Sequence, residues 1–372
     1  MTEATAAVLY EANTPLLIEK VSVLPPKAGE VQVRMHAAGV CHSDLHVMKG
    51  DQPLGMPIIL GHEGAGIIET VGEGVTSVQE GDHVIPIWRM SCGTCEFCLG
   101  GKPALCDVGT VMRFTGKMPD GETRFRNQKG ESVLHYAGVS TFSELSTMPE
   151  GAVVKIEKDF PLEKAALIGC GVITGLGAVF NAARLKPGST VAVFGCGGIG
   201  LNVVQGARIA GASRIIAVDT TDSKLNYARE FGATETINAS ADDPVEAIKD
   251  LTNGAGVDYA FEAIGLTKPM EQAYDSTKKG GTCVVVGIAS PTARAQINVN
   301  ALVYAEKTLK GSIYGSTRPR IDLLKFIDMH QRGQIELDKL LTKTYPLSQI
   351  NEAYAALERG EVARSLVLPQ EF

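Results

Sequence analysis

Four things are missing from this chain: a net positive charge, a long uninterrupted apolar run, an internal repeat and a low-complexity tract. The charge balance is −7 at pH 7, which leaves no electrostatic footprint for nucleic acid or an anionic membrane. No apolar run is expected to reach the ~18–20 residues that span a bilayer. The opening Met1-Thr2-Glu3-Ala4-Thr5 has neither the basic start nor the apolar stretch of a secretory signal, so a cytoplasmic location is expected. What remains is an ordinary globular composition, 44% apolar and 21% charged. At 372 residues the chain exceeds the usual size of a single core, and two domains are the default.

Half of the eight cysteines crowd one window as C-x2-C-x2-C-x7-C: Cys92, Cys95, Cys98 and Cys106. Two-residue spacers let a tight turn aim successive thiolates at one point, and four thiolates there match the closed tetrahedral shell of a structural Zn²⁺. A disulfide knot is the plain alternative. It suits small secreted domains and not a chain of this length. A saturated shell holds a lobe together, expected over residues 90–108, and does no chemistry. Thiolate-rich metal sites also fit a reducing compartment.

A reactive metal needs other ligands. Cys41 opens Cys41-His42-Ser43-Asp44-Leu45-His46, His62 lies in Gly61-His62-Glu63-Gly64, and Cys170 sits in Gly169-Cys170-Gly171. Two thiolates and one imidazole form an open three-ligand shell that keeps a fourth position for water or substrate. Each residue alone has a plainer reading: a small buried cysteine, or a hydrogen-bonded histidine. Company makes the difference.

That company is Thr190-Val-Ala-Val-Phe-Gly195-Cys196-Gly197-Gly198-Ile199-Gly200. An apolar, β-branched strand enters G-x-G-x-x-G, a helix follows to Ala210, and a second strand from Arg214 ends in the acid Asp219. Gly195 permits the tight turn, Gly197 lets the backbone approach a pyrophosphate, and Gly200 lets helix pack on sheet. The helix N-terminus offers free N–H groups and its positive dipole end to the phosphates. Asp219 can accept from ribose hydroxyls and would repel a 2′-phosphate, and Thr220 and Thr221 supply no arginine. NAD is therefore expected over NADP. Lys224 either reaches the same ribose or is a solvated surface lysine.

Two textures divide the chain. Up to about residue 155, short alternating strands punctuated by Gly and Pro read as a mainly β, barrel-like module with helix around Ser43–Lys49. From about 173 to 314, six apolar strands (the later ones Thr234–Asn238, Val257–Glu262, Thr282–Val286 and Lys310–Tyr314) alternate with helices, which describes a doubly wound parallel sheet of the Rossmann kind. Helices near Ile321–Arg332 and Gln349–Arg359 and a strand at Ser365–Leu368 complete the chain. The stretch 109–139 reads as a long lobe or loop beside the cysteine cluster.

Cys41-His-Ser-Asp, Gly61-His-Glu-Gly-Ala-Gly, the cysteine lobe, Gly169-Cys-Gly, the glycine turn and Ala363-Arg364-Ser365 together resemble the zinc-dependent alcohol dehydrogenases of the medium-chain dehydrogenase/reductase superfamily, over essentially the whole length. The resemblance implies a GroES-like catalytic domain built from both chain ends, 1–172 and 315–372, around an NAD-binding Rossmann domain at 173–314, with substrate in the cleft. It implies two zinc ions per chain, with the catalytic one on Cys41, His62 and Cys170. The alcohol oxygen takes the open position and hydride passes to the nicotinamide. Ser43 is implied as proton acceptor, with His46 passing the proton to solvent at its ordinary pKa near 6.5; a helix N-cap is the other reading of Ser43. Asp44 is implied behind His62, fixing its tautomer, and Glu63 as a carboxylate behind the metal or an ordinary buried acid. His42 and Arg364 match positions that contact the pyrophosphate, Thr174 one beside the nicotinamide and Ile199 one behind it. Histidine at 42, where some relatives have arginine, implies weaker NAD binding and faster release.

Substrate size is read from Trp88, which matches an aromatic wall near zinc and implies primary over branched secondary alcohols. Leu105, Val111 and Ile288 are candidate pocket linings, or plain core. The length of 109–139 resembles the larger members, which implies a homodimer paired through sheet edges near Ala301–Ile313. The first expectation is thus oxidation of primary alcohols by NAD. The alternative is a formaldehyde dehydrogenase acting on a hydroxymethyl-thiol adduct such as S-hydroxymethylglutathione; for it Gly50-Asp51-Gln52-Pro53 is only weakly acidic, and Arg113 is the candidate cation. A cofactor-retaining variant and a non-catalytic NAD-binding relative complete the set. The intact Ser43 and His46 speak against the last.

Overall fold

Apolar and β-branched residues produce short, mostly antiparallel strands in the first part of the chain, several of them buried on both faces. In the computed structural model, which describes residues 1–361 and 363–370, these strands form two assemblies. Thr2–Leu9, Leu17–Val23, Phe125–Arg126, Ser132–His135 and Ile58–Ile59 close into a small barrel. Val153–Ile156, His83–Pro86, Gly64–Val71, Glu30–Gly39, Arg364–Leu368 and Leu341–Pro346 pair in that order in a second sheet, with Leu145–Pro149 also on Glu30–Gly39. Val8, Leu9, Val23, Ile58, Phe125 and Val133 of these barrel strands are fully buried in one apolar core.

Residues 109–139 are not a loop. A helix, Asp107–Thr115, is followed by the two strands that complete the barrel. At two and four residues, those strands are too short to show a period in the sequence. Buried Arg124 secures the segment through a bidentate ion pair to Glu30 and a 2.8 Å bond to Asp120.

A third assembly is the six-stranded parallel sheet. Its strands are Thr190–Phe194, Arg214–Asp219, Glu235–Asn238, Val257–Glu262, Thr277–Val285 and Thr308–Gly311, and their spatial order is third, second, first, fourth, fifth, sixth. This is the doubly wound order, with its switch point between the first and fourth strands. The last strand ends at Gly311 and not at Tyr314, because Tyr314, Gly315 and Ser316 all take positive φ and turn the chain away.

By compactness the chain divides into two units. One comprises Met1–Cys170, Arg318–Met329 and the described residues from Leu337 on; the other comprises Gly171–Thr317 and His330–Glu336. The sequence expectation of no membrane-length apolar run needs one correction. The helical stretch Leu162–Ala183 is long and apolar enough by composition, and 89% of its most apolar 18-residue window is buried inside the protein as a core helix. Three helices position the residues discussed below: α1 (His42–Met48), α2 (Asp107–Thr115) and α3 (Gly198–Ile209).

Candidate active site

The four clustered cysteines converge. Their sulfurs lie within 4.8 Å of one another, and Cys92 Sγ is 3.9 Å from Cys98 Sγ. Four sulfurs bound tetrahedrally at ~2.3 Å stand ~3.8 Å apart, so the set fits zinc. Local backbone does the aiming: Cys95 caps the short helix Glu96–Leu99 and Cys106 caps α2. The N–H groups of Thr94 and Cys95 donate to Cys92 Sγ at 3.4 and 3.3 Å. Burial works against the Cys92 thiolate, but these donors and the Thr94 hydroxyl outweigh it and bring its pKa to about 6. Burial pushes Cys106 up to about 12. Arg89 ties this lobe to its flank, donating to Ala104 O and Thr110 Oγ1, both at 2.9 Å.

Cys41, His62 and Cys170 meet in the same unit, all buried, with their ligand atoms within 4.8 Å of one another. Three different local devices deliver them. Cys41 is the extended residue that opens α1. His62 follows Gly61, whose φ of +87° and close approach to Thr141 and Phe142 leave no room for a side chain. Cys170 sits in a widened helical turn, Ile168–Val172, a type of irregularity frequent at functional sites. Cys170 Sγ lies 3.3 Å from His62 Nε2, while Nδ1 on the other side of the ring faces Asp44 at 3.2 Å. Nε2 is therefore the nitrogen directed at the metal position. Asp44 also accepts from Gly61 N at 2.9 Å, so a single carboxylate fixes both the turn and the imidazole.

Charge follows from this arrangement. Burial disfavours a proton on His62, yet the Asp44 carboxylate and the Cys41 thiolate prevail and raise its pKa to about 10. Hydrogen bonding to Cys170 holds Cys41 well below the usual thiol range and pushes Cys170 well above it. Two thiolates and one imidazole held this close suit a divalent cation, whose binding must expel the protons. Trp88 and Tyr136 pack edge-on against His62, with centroids at 5.9 and 5.5 Å.

Around this core the structure places the remaining candidates. Ser43 is the second residue of α1 and does not cap it, since Cys41 holds that position; Ser43 Oγ lies 3.8 Å from Cys41 Sγ. His46 Nδ1 is 3.0 Å from Asp51, and His42 is exposed at the start of α1. Glu63 and Arg364, 301 positions apart, form a buried ion pair in which Glu63 Oε1 has no further partner among the described residues. Burial raises the Glu63 pKa against the pull of Arg364. Trp88 is 8% exposed, whereas Leu105 and Val111 are 40% and 58% exposed in the first unit and Ile288 is 38% exposed in the second.

Within the second unit, Gly195 turns at φ +95° and Gly197 caps α3 with no side-chain bond. A Cβ on Gly197 would meet nothing within 4 Å, which leaves a cradle open to a phosphate; a Cβ on Gly200 would strike Gly195 O at 1.7 Å. Gly198 and Ile199 are half-buried in the first turn of α3, and Thr174 is buried in Ile173–Gly177. Asp219 accepts from Cys196 N at 2.9 Å and from Thr221 N at 3.1 Å, which fixes its carboxylate at the end of the second strand. Lys224 is half-buried in the following helix, Asp222–Phe231.

Sequence reasoning missed Tyr136 altogether. Its hydroxyl donates to Ser43 O at 3.0 Å, and burial keeps its pKa well above the ordinary phenol value. It also missed the Asp51–His46 contact. No motif spacing announces either.

Comparison with known proteins agrees with this geometry. A model described as "Alcohol dehydrogenase GroES-like domain" matches residues 27–158, and one described as "Zinc-binding dehydrogenase" matches 198–329. The "Alcohol dehydrogenase class-3" of Dictyostelium discoideum is 43% identical over 369 residues, covering 97% of this chain and 97% of its own. An "S-(hydroxymethyl)glutathione dehydrogenase" of Saccharomyces cerevisiae is 40% identical, covering 98% of this chain and 96% of its own. The solved benzyl alcohol dehydrogenase of Acinetobacter calcoaceticus superposes with a TM-score of 0.94 at 34% identity, with 99% of each chain covered. GroES-like and Rossmann-like domains carrying these ligand sets define an NAD-dependent dehydrogenase with two zinc sites. The chain belongs to the zinc-dependent alcohol dehydrogenase family.

Proposed function

We propose that this enzyme oxidises the hydroxymethyl adduct of a small thiol, of the S-hydroxymethylglutathione kind, with NAD⁺ as hydride acceptor. The observation that carries this reading is that relatives named class-3 alcohol dehydrogenase or S-(hydroxymethyl)glutathione dehydrogenase match 97–98% of the chain at 40–43% identity. Such an adduct is still a primary alcohol at its reacting carbon, so the same metal site serves it.

Zinc on Cys41, His62 and Cys170 supplies a Lewis acid for the substrate hydroxyl, and NAD supplies the hydride acceptor. The chain does the rest. Ser43 takes the hydroxyl proton beside Cys41, and His46 passes it to solvent. Asp51 on Nδ1 holds that nitrogen as the N–H, which leaves Nε2 of His46 as the accepting atom. Gly195, Gly197 and the N-terminus of α3 receive the pyrophosphate, and Asp219 takes the adenosine ribose. Glu63 backs the metal.

A second reading, oxidation of plain primary alcohols, is favoured by one specific feature. Arg113, the cation that would hold an adduct carboxylate, is buried and committed to Gln52 and Tyr136. The likeness to benzyl alcohol dehydrogenase points the same way. Initial rates with S-hydroxymethylglutathione, benzyl alcohol and hexanol decide between the two. Preference for the adduct by about a hundredfold in kcat/KM, some 2.7 kcal/mol, is expected; the reverse order installs the plain-alcohol reading. The strand edge Thr308–Gly311 and the exposed Val299, Val303 and Tyr304 support a homodimer, which sedimentation of the enzyme tests.

A further inference from the structure

Tyr136 lies beside the metal ligand His62, with Arg113 behind it, and the chemistry above uses neither. Tyr136 follows the barrel strand Ser132–His135, and its N–H is held by Ile59 O at 3.1 Å and Ser140 Oγ at 2.9 Å. It is 1% exposed, and it touches both halves of the reaction centre. Its ring edge meets the His62 imidazole at 5.5 Å, and its hydroxyl donates 3.0 Å to the carbonyl of Ser43. Behind it, the Arg113 guanidinium lies 4.3 Å from the ring centroid, and its Nη2 donates to Tyr136 Oη at 2.8 Å and to Gln52 Oε1 at 2.7 Å. The phenol thus gives one hydrogen bond and accepts one, with nothing left over for substrate.

Arg113 is 8% exposed, and its hydrogen-bond partners are the neutral Gln52 and Tyr136. Burying a guanidinium against neutral partners costs stability relative to an apolar replacement, so stability alone gives no reason for it. Geometry does. The fork and face of an arginine set a phenol ring in both tilt and position, which a lysine cannot do. Gln52 lies beside Asp51, the partner of His46, and is linked through Arg113 and Tyr136 to the backbone carbonyl of Ser43.

We infer that Tyr136, backed by Arg113, is a positioning residue that holds the Ser43 turn of α1 in register with His62, so that the serine hydroxyl stays beside the metal-bound oxygen position. This rests on the relay reading of Ser43 given above.

The test is a double-mutant cycle on the zinc-loaded enzyme, read as single-turnover NADH formation from whichever of benzyl alcohol or S-hydroxymethylglutathione reacts faster. Tyr136→Phe keeps the ring and removes one hydroxyl. It is expected to slow hydride transfer by about tenfold to a hundredfold, with substrate KM within about twofold, as sub-ångström misplacement of a reacting group does. In a Ser43→Ala background the same change is expected to cost no more than about twofold, because its route of action is already gone. Equal losses in both backgrounds overturn the inference and make Tyr136 a general structural residue. An undiminished Tyr136→Phe beside an impaired Ser43→Ala also overturns it and leaves the relay standing. An unimpaired Ser43→Ala overturns the relay itself. Arg113→Lys run through the same cycle provides the answer if Tyr136→Phe does not fold.

Discussion

The thiolates from Cys92 to Cys106 are gathered over 14 positions of chain, whereas His62 and Cys170 stand 108 positions apart. The first set is half-exposed at Cys92, Cys95 and Cys98, and its donors are mostly its own neighbouring backbone N–H groups. The second is buried, and what packs on its ligand His62 and on the neighbouring Glu63 and Ser43 comes from elsewhere in the sequence: Asp44 on His62, Arg364 on Glu63, Tyr136 on Ser43. A local site needs only a turn to form, so metal and lobe fold together. A dispersed site needs the whole unit first, and the fold presents it ready-made. The two should therefore fail differently when damaged.

The largest effect is expected at the dispersed site. His62→Ala should lower kcat/KM by about a thousandfold or more, since a Lewis acid contributes several kcal/mol at 1.4 kcal/mol per decade. Zinc should fall from two ions to one per chain while the melting temperature stays nearly unchanged. Cys98→Ser should do the opposite: one zinc lost and the lobe opened to protease, with stability down by about 3 kcal/mol or roughly 6–12 °C in a unit of this size. Unfolding by His62→Ala, or a Cys98→Ser enzyme as stable as the parent, would erase the distinction between the two sites.

A milder change sharpens it. Asp44→Asn keeps the shape and removes the charge behind His62, and metal-site carboxylates of this kind typically contribute about 10–100-fold in affinity. Competition with a chelator should show that loss for one zinc only, with the four-thiolate ion unaffected. Equal weakening of both ions would mean that Asp44 acts on the fold and not on the ligand.

The contrast also explains what was legible in the sequence. Cys92 to Cys106 and Gly195 to Gly200 are read from spacing because their geometry is made by adjacent backbone, and the structure keeps each together. Cys41, His62 and Cys170 were readable only in company with the glycine-rich turn and the family resemblance that the motifs carry together. Tyr136, Gln52 and the Glu63–Arg364 pair had no local signal, since their contacts are set by how distant strands register. Residues 109–139 were readable only as a lobe or loop for a related reason: strands of two and four residues carry no period, and nothing local announces that Arg124 is buried against Glu30. Ser43 looked like a cap because caps are commonly serine, while a thiol aimed at metal had taken the position.

The smallest effect concerns a second buried histidine, which shows that burial alone does not decide protonation. His135 is as buried as His62, but it faces Phe125 at 4.7 Å and the cations of Arg124 and Arg126, and accepts from Arg124 N at 2.9 Å. Burial first, and then those cations, lower its pKa from 6.5 to about 3. In the unfolded chain the ring takes a proton near pH 6.5 that the folded protein refuses. Its contribution is therefore complete above that pH and is lost as pH falls towards about 3, by about 1.4 kcal/mol per unit. His135→Gln retains an acceptor for Arg124 N and cannot titrate. Denaturant titrations of the zinc-loaded protein at pH 7.0 and ~5.5 should show the parent losing about 1.4 kcal/mol more than this variant between the two. His62 cannot produce that difference, because its zinc-bound nitrogen is closed to protons over the same range. Identical acid losses in parent and variant would mean that His135 takes its proton inside the fold, and that the arginines beside it do not govern its charge.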